Sequence, residues 1–308
     1  MTAFLFPGQG SQHSGMLAFP GLCQASLEEA GQFLNAEPDG PSLGDLDTAE
    51  SLGCTANAQL ALLIVGVAAA RSLIHAWRVP GPTVVAGHSV GAFAAAVICG
   101  ALTFTEALQT VALRATMMER ICAHGHWGMA AVLGIDARSA GQLALQVGTP
   151  DDPLWLANDN SRRQVVFSGT RNAIRRLMPA AEHAGAEKVQ VLDVAVASHC
   201  PLQGPVRDAL ADHLRAVPDR PLSADYLTNT RGRRVRTGKA VLSDLVESVS
   251  QPVQWRTIAE ILPELGVTHA IEMPPGHVLT RLSEGTGVDA VSVSDVGFEV
   301  AAHRAAPR

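Results

Sequence analysis

The segment VVAGHSVGAFAAAV, Val84 to Val97, restricts the fold more than any other part of the chain. Its first residues are apolar and mostly β-branched, as in a buried strand, and its last have the alanine-rich composition of a helix. Between them stands Gly-His-Ser-Val-Gly, so the change from strand to helix is completed within a few residues. Two glycines let the backbone turn sharply on either side of Ser89. A serine on such a turn is how several enzyme folds expose a nucleophile, and the N–H groups of a helix that starts at Val90 favour developing negative charge. A glycine-rich turn with a capping serine has the same letters.

The rest of the chain repeats the strand–turn–helix rhythm. TAFLF reads as a buried strand, and FPGQGSQ, Phe6 to Gln12, as a loop that opens a helix. Thr55 stands where it would cap a long helix over 56–77, and a further helix is expected over 105–123. Strands joined by long helical crossovers imply a largely parallel sheet. From Gly125 to Asp193 the order changes to β-α-β-β-α-β, the ferredoxin-like arrangement. The expected organisation is therefore a large α/β domain over 1–124 and 194–308, with a small subdomain over 125–193 inserted in it. LTNTRGRRVRTGK reads as a turn-rich hairpin, WRTIAEILPELG as a helix and THAIEM as a strand. A cleft between the two parts is the natural place for a ligand.

Composition removes several function classes. Of 308 residues, 47% are hydrophobic and 17% charged, which leaves little room for disorder. The net charge of −6 argues against a nucleic-acid binder. Five cysteines, odd in number and without a CxxC pair, suggest neither a disulfide framework nor a zinc site, and their use fits a reducing cytoplasm. MTAFLFPGQG has no basic leader, so no signal peptide is expected. The run LALLIVGVAAA, Leu60 to Ala70, is too short to span a bilayer and reads as a buried helix. No membrane contact, metal or cofactor is expected.

A serine nucleophile needs a base, and the chain has 11 histidines. His199, in VLDVAVASHCPL, ends an apolar run just past the insert, at a domain junction. His88 is adjacent to Ser89, but the turn directs the two side chains apart, and His277 in PPGH has no evident partner. Cys200 follows His199 on an extended segment and so points to the opposite side. Arg114 sits in an otherwise apolar helical stretch, TVALRATMMER, where a guanidinium must reach water or find an anion; a buried ion pair is the alternative. Arg120 is expected in solvent. The glycines of FPGQGSQ allow close backbone approach, so its N–H groups form either half of an oxyanion hole or a plain loop. The basic run Arg231 to Arg236 reads as a solvated hairpin or as a contact for phosphates or an acidic carrier.

Taken together, FPGQGSQ, TANAQLALL, AGHSVG, LRATMME, GMAAVLG, NDNSRRQVVFSG, VASHCPL, QPVQW and EMPPGHVLTRL resemble the malonyl-CoA:acyl carrier protein transacylase family nearly end to end, in order and spacing. The resemblance implies an α/β-hydrolase-like large domain with the ferredoxin-like insert. It implies Ser89 as the acylated nucleophile, His199 as its base, the backbone N–H groups of Gln9 and Val90 as oxyanion donors, and Arg114 as the grip on a malonyl carboxylate. Gln59 and Asn160 fall near the family's pocket. The histidine is expected to be oriented by a backbone carbonyl, here that of Ser248 in VESVSQPVQW, where the family often has glutamine. The implied substrates are malonyl-CoA and the phosphopantetheine-type thiol of an acyl carrier protein, with no cofactor. Val90 and AFAAAV, in place of the family's common Leu and Glu-Tyr, most resemble the epsilon subunit of bacterial malonate decarboxylase, which loads that enzyme's own carrier subunit. Transfer in fatty-acid or polyketide synthesis is the alternative. A serine esterase or thioesterase and a non-catalytic carrier scaffold are the rivals; a buried Arg114 speaks against the first, and Ser89 against the second.

Overall fold

The computed structural model describes residues 1–36 and 41–305. Its strands in chain order are β1 (Thr2–Phe6), β2 (Val84–Gly87), β3 (Trp127–Leu133), β4 (Leu154–Ser161), β5 (Gln164–Thr170), β6 (Lys188–Val191), β7 (Pro221–Leu227), β8 (Arg234–Thr237), β9 (His269–Glu272) and β10 (Asp289–Ser292). Six of them form one sheet in the order β10-β9-β1-β2-β7-β8, parallel except for the antiparallel edge strand β8. β7 and β8 form a hairpin whose turn and second arm fall in the stretch LTNTRGRRVRTGK, while its first arm lies before that stretch except for Leu227.

Alternation along the strands assigns the two faces of this sheet. Phe4, Phe6, Val85 and Tyr226 face a core that includes the helix Thr55–His75. Ala3, Leu5, Val84, Ala86 and Leu227 face Trp255, Ile258 and Leu262 of the helix Trp255–Glu264. Both faces are covered, so β1 and β2 are apolar on every residue that enters the core, as parallel strands require. The helix Thr55–His75 is long and apolar enough to cross a membrane, but 83% of its most apolar stretch is buried inside this fold. Its start differs from the expected one. Cys54 occupies the N-cap without a side-chain cap bond, and Thr55 is already helical. Glu119, from the helix Phe104–Cys122, takes over the capping by accepting from Ala56 N–H at 3.0 Å and Cys54 Sγ–H at 3.1 Å.

The second sheet, β4-β5-β3-β6, is antiparallel throughout, and its order is the one a ferredoxin-like β-α-β-β-α-β unit produces. Ala130, Val132, Val165 and Phe167 face the helices Ala137–Val147 and Arg171–His183. Met129, Ala131 and Val166 face the other way, into a cleft shared with the larger sheet. β4 also joins the two sheets: Asp159 N–H donates to Val253 O at 2.8 Å, and Val253 N–H donates to Ala157 O at 2.9 Å. Arg256 closes the junction with a 2.9 Å ion pair to the buried Asp159 carboxylate. The span between the sheets is therefore fixed beside the cleft.

At the end of β2 the chain turns into the helix Gly91–Ile98 with almost no space to spare. A Cβ on Gly87 would lie 2.1 Å from the Gly91 carbonyl carbon, and one on Gly91 would lie 2.2 Å from the Phe6 carbonyl oxygen. Backbone on backbone cannot yield as a flexible side chain does. Gly91→Ala is expected to lower stability by about 2–3 kcal/mol, seen as a lower urea midpoint at unchanged slope; a wild-type midpoint would contradict the packing.

Candidate active site

The cleft between the two sheets has a volume of about 630 Å³, and Gln9, Gln59, Ser89, Arg114, Asn160 and His199 all line it. Ser89 stands on the turn with φ of 53°, in the left-handed region that non-glycine residues seldom occupy. His199, on the loop after β6, has φ of 58°. Its own N–H donates to Val249 O at 3.1 Å, which ties that turn to the chain beyond the helix Gly238–Glu247.

The imidazole lies between two oxygens, 2.6 Å from Ser248 O through Nδ1 and 2.7 Å from Ser89 Oγ through Nε2. A carbonyl only accepts, so Nδ1 carries the proton and Nε2 offers its lone pair to the serine hydroxyl. Ser248 is the C-cap of its helix, where carbonyls have no partner within the helix. The contact is made by a backbone carbonyl and so does not depend on which side chain stands at position 248. Burial pushes the pKa of His199 down to about 3, with the charge of Arg114 acting in the same direction. The ring is neutral at physiological pH.

Arg114 reaches the same hydroxyl from the helix Phe104–Cys122, with Nη2 donating to Ser89 Oγ at 3.2 Å. Its Nη1 donates to Gln59 Oε1, and Gln59 Nε2 points on to Gln9 Oε1 at 3.5 Å. Arg114 is 2% exposed, and no carboxylate balances its charge among the described residues; burial alone draws its pKa down to about 10. A buried cation directed into a cleft and lacking an anion is a receptor for one. The alternative of a structural ion pair is not what the fold contains.

The FPGQGSQ loop packs directly on the turn: a Cβ on Gly8 would lie 2.6 Å from His88 O. Neither Gln9 N–H nor Val90 N–H has an acceptor among the described residues. Two such free donors near the serine suit an oxyanion.

Other candidates have partners of their own or lie outside the cleft. Asn160 Oδ1 is 2.9 Å from His88 Nε2, and Asn160 Nδ2 donates to Gln164 Oε1 at 3.1 Å, so its first task is to hold His88. His88 bonds to β4, with its ring centroid 5.5 Å from that of Trp255, and does not bond to Ser89 Oγ. His277 does have a partner, Asp295, at 3.0 Å. Burial pushes the Cys200 thiol up to about 12, which leaves it inert. Arg120 is exposed. Arg234 and Arg236 pair with Asp225 at 3.4 and 2.8 Å, and none of Arg231 to Arg236 lines the cleft. Asn229, which bonds to the Ser89 N–H, and Asp244, which bonds to the Asn229 N–H, are absent from the sequence-based candidates. In LTNTRG the asparagine is indistinguishable from an ordinary turn residue.

A hydroxyl bonded to a neutral histidine beside free N–H donors is the equipment of acyl transfer, and comparison with known proteins gives the same class: the chain is an acyltransferase. It belongs to the acyl transferase domain family, whose model matches residues 3–300. It is 35% identical over 289 residues to the malonyl CoA-acyl carrier protein transacylase of Escherichia coli O157:H7, covering 92% of this chain and 91% of the relative. With the enzyme of the same name from Bacillus subtilis (strain 168) it shares 33% identity over 300 residues, 95% of this chain and 93% of the relative. Among solved structures, the malonyl CoA-acyl carrier protein transacylase from Coxiella burnetii superposes with a TM-score of 0.89 at 30% identity, over 98% of this chain and 97% of that one. A chain from the complex of a type II PKS acyl-carrier protein with its malonyl-transacylase gives the same TM-score at 31% identity, over 98% and 99%.

The sign of the His199 shift is testable. Its unfolded counterpart takes up a proton near pH 6.5 and the folded ring only near pH 3, so stability falls as pH drops through that window. Carbon-13 shifts of ring-labelled histidine, assigned against His199→Gln, should show this ring still neutral at pH 5. Protonation near pH 6.5 would contradict the burial.

Proposed function

We propose that the chain transfers malonyl groups from malonyl-CoA to the thiol of an acyl carrier protein through a malonyl-serine intermediate. The observation that carries this reading is Arg114, a buried guanidinium without a carboxylate, 3.2 Å from the Ser89 hydroxyl. An acyl chain ending in a carboxylate supplies the missing anion and sets its thioester carbon beside Oγ. The names of the relatives support the same substrate pair. The carrier complex among the similar structures supports a protein-borne thiol as acceptor.

In this scheme His199 Nε2 takes the hydroxyl proton as Ser89 Oγ attacks the thioester carbon. Gln9 and Val90 N–H groups hold the oxyanion, and loss of one such donor costs about 3 kcal/mol in the transition state. The intermediate collapses, the C–S bond breaks, and His199 returns the proton to the departing CoA sulfur. A carrier thiol then gives its proton to His199 and attacks the malonyl ester. Collapse releases malonyl-carrier and restores the serine hydroxyl. The steps call for no metal or cofactor.

Sequence details of the turn support a second reading. VGAFAAAV and TANAQLALLIVGVAAA resemble the malonate decarboxylase epsilon subunit, whose carrier bears a phosphoribosyl-dephospho-CoA group. The two readings separate on carrier preference, measured as kcat/KM for each carrier with malonyl-CoA in common. The relatives' names favour an acyl carrier protein as acceptor.

Brief incubation with malonyl-CoA should add one malonyl group to the intact mass, and Ser89→Ala should remove the adduct. An undiminished adduct in that variant would overturn the reading. Arg114→Ala should lower malonyl transfer by about 30- to 1,000-fold and collapse the preference over acetyl-CoA, equivalent to about 2–4 kcal/mol of selective binding. Unchanged preference in a competition assay would remove Arg114 from the mechanism.

A further inference from the structure

We infer that Asn229 is the positioning residue of the Ser89 turn, its carboxamide standing in for a peptide unit that the sheet does not supply. The inference rests on Ser89 as the reacting group.

β2 pairs with β7 at Val84↔Asp225 and Val85↔Tyr226. β7 ends at Leu227, and the chain then folds back through Thr228 N–H to Arg233 O and Gly232 N–H to Thr228 O. The strand neighbour is thus lost where the backbone approaches Ser89. Asn229 replaces it with both halves of one amide: Nδ2 donates to Gly87 O at 2.8 Å, and Oδ1 accepts from Ser89 N–H at 2.9 Å. The reverse orientation would set acceptor against acceptor and donor against donor. No other side chain of this length offers the pair at neutral pH, since ionised Asp has acceptors only and Gln is one methylene longer. A left-handed, non-glycine backbone such as that of Ser89 persists only where its surroundings fix it, and this amide pins the chain that leads into it, bonding on either side of His88 to Gly87 O and Ser89 N–H.

Asn229 is itself held fast, with no exposed surface. Its carbonyl accepts from Gln254 N–H at 2.8 Å. Its N–H donates to Asp244 Oδ2 at 2.8 Å, which also accepts from Tyr226 Oη–H at 3.1 Å. Asp244 Oδ1 accepts from Thr230 N–H at 3.0 Å and Oγ1–H at 2.7 Å. Four donors satisfy a buried carboxylate that has no cation beside it among the described residues, and its effect is to place Asn229. Through Asn229 it sets the direction of the Ser89 hydroxyl and of the Val90 N–H that follows.

The test compares full-length wild type, Asn229→Ala and Asn229→Asp. Rates of Ser89 malonylation are read by quenched intact mass, and rates of labelling by a serine-directed fluorophosphonate are read in parallel. Asn229→Ala should slow both by about 10- to 100-fold, with KM for malonyl-CoA within about twofold and a single cooperative melt. Asn229→Asp should be slow at pH 8 and recover toward pH 5.5, because only a protonated carboxyl can donate to Gly87 O. Residue 229 has no exposed surface, Tyr226 from β7 lies beside its side chain, and the Asp244 carboxylate from the helix Gly238–Glu247 is bonded to its backbone N–H. Burial and this nearby negative charge retain the new carboxyl's proton above the ordinary carboxylate range. His199, with a pKa near 3, stays neutral across the same range and does not confuse the profile. Wild-type rates in both variants at every pH would overturn the inference, as would losses that only follow the folded fraction. If wild type gains no malonyl group, the proposed substrate falls, while fluorophosphonate labelling still decides the role of Asn229.

Discussion

Everything at this site depends on one turn of backbone, the left-handed residue Ser89 between β2 and the helix Gly91–Ile98. Three non-glycine residues have positive φ among the described residues, and two of them are Ser89 and His199. Their side chains meet at 2.7 Å. Unfavourable backbone geometry at two partners in one hydrogen bond is the pattern of a site whose direction matters more than its local ease. The surroundings that hold it are ordinary packing: glycines at 87 and 91, the Phe6 carbonyl, the Asn229 amide and the carbonyls of Ser248 and Val249.

Electrostatics then sorts the roles of the two basic groups. Both are buried, and burial disfavours charge on each. Arginine starts so far above neutrality that it stays charged, whereas histidine is driven neutral, helped by the arginine itself. Cation and base therefore coexist around one hydroxyl. In the proposed reaction a bound carboxylate screens Arg114 and so raises the basicity of His199, which couples recognition of the acid tail to activation of the nucleophile. An acyl group without that tail leaves the cation unpaired and the base weaker.

Much of this was legible in the sequence, for reasons that differ by residue. GHSVG announced a turn because glycines and an abrupt change of composition leave a local mark. Arg114 stood out because a charge in an apolar helix is anomalous on its own. His199 stood out among 11 histidines only by its place at the end of an apolar run at the domain junction, and the resemblance gave it its role, since nothing near it in sequence reveals Ser89 or Ser248. Asn229 left no trace because its meaning lies in where β7 stops beside β2, a tertiary fact. The same holds for Glu119 at the start of the helix Thr55–His75, where a carboxylate from another helix replaced the local cap expected from Thr55. Asn160 was identified as a pocket residue, but its contact with His88 comes from the way β4 crosses to the larger sheet.

The most direct measurement is a crystal structure of the protein frozen shortly after malonyl-CoA is added. The account requires continuous density from Ser89 Oγ to a malonyl group, its carboxylate on the Arg114 guanidinium and its carbonyl oxygen between Gln9 N and Val90 N. An acyl group on any other residue, or a carboxylate turned away from Arg114, would contradict it.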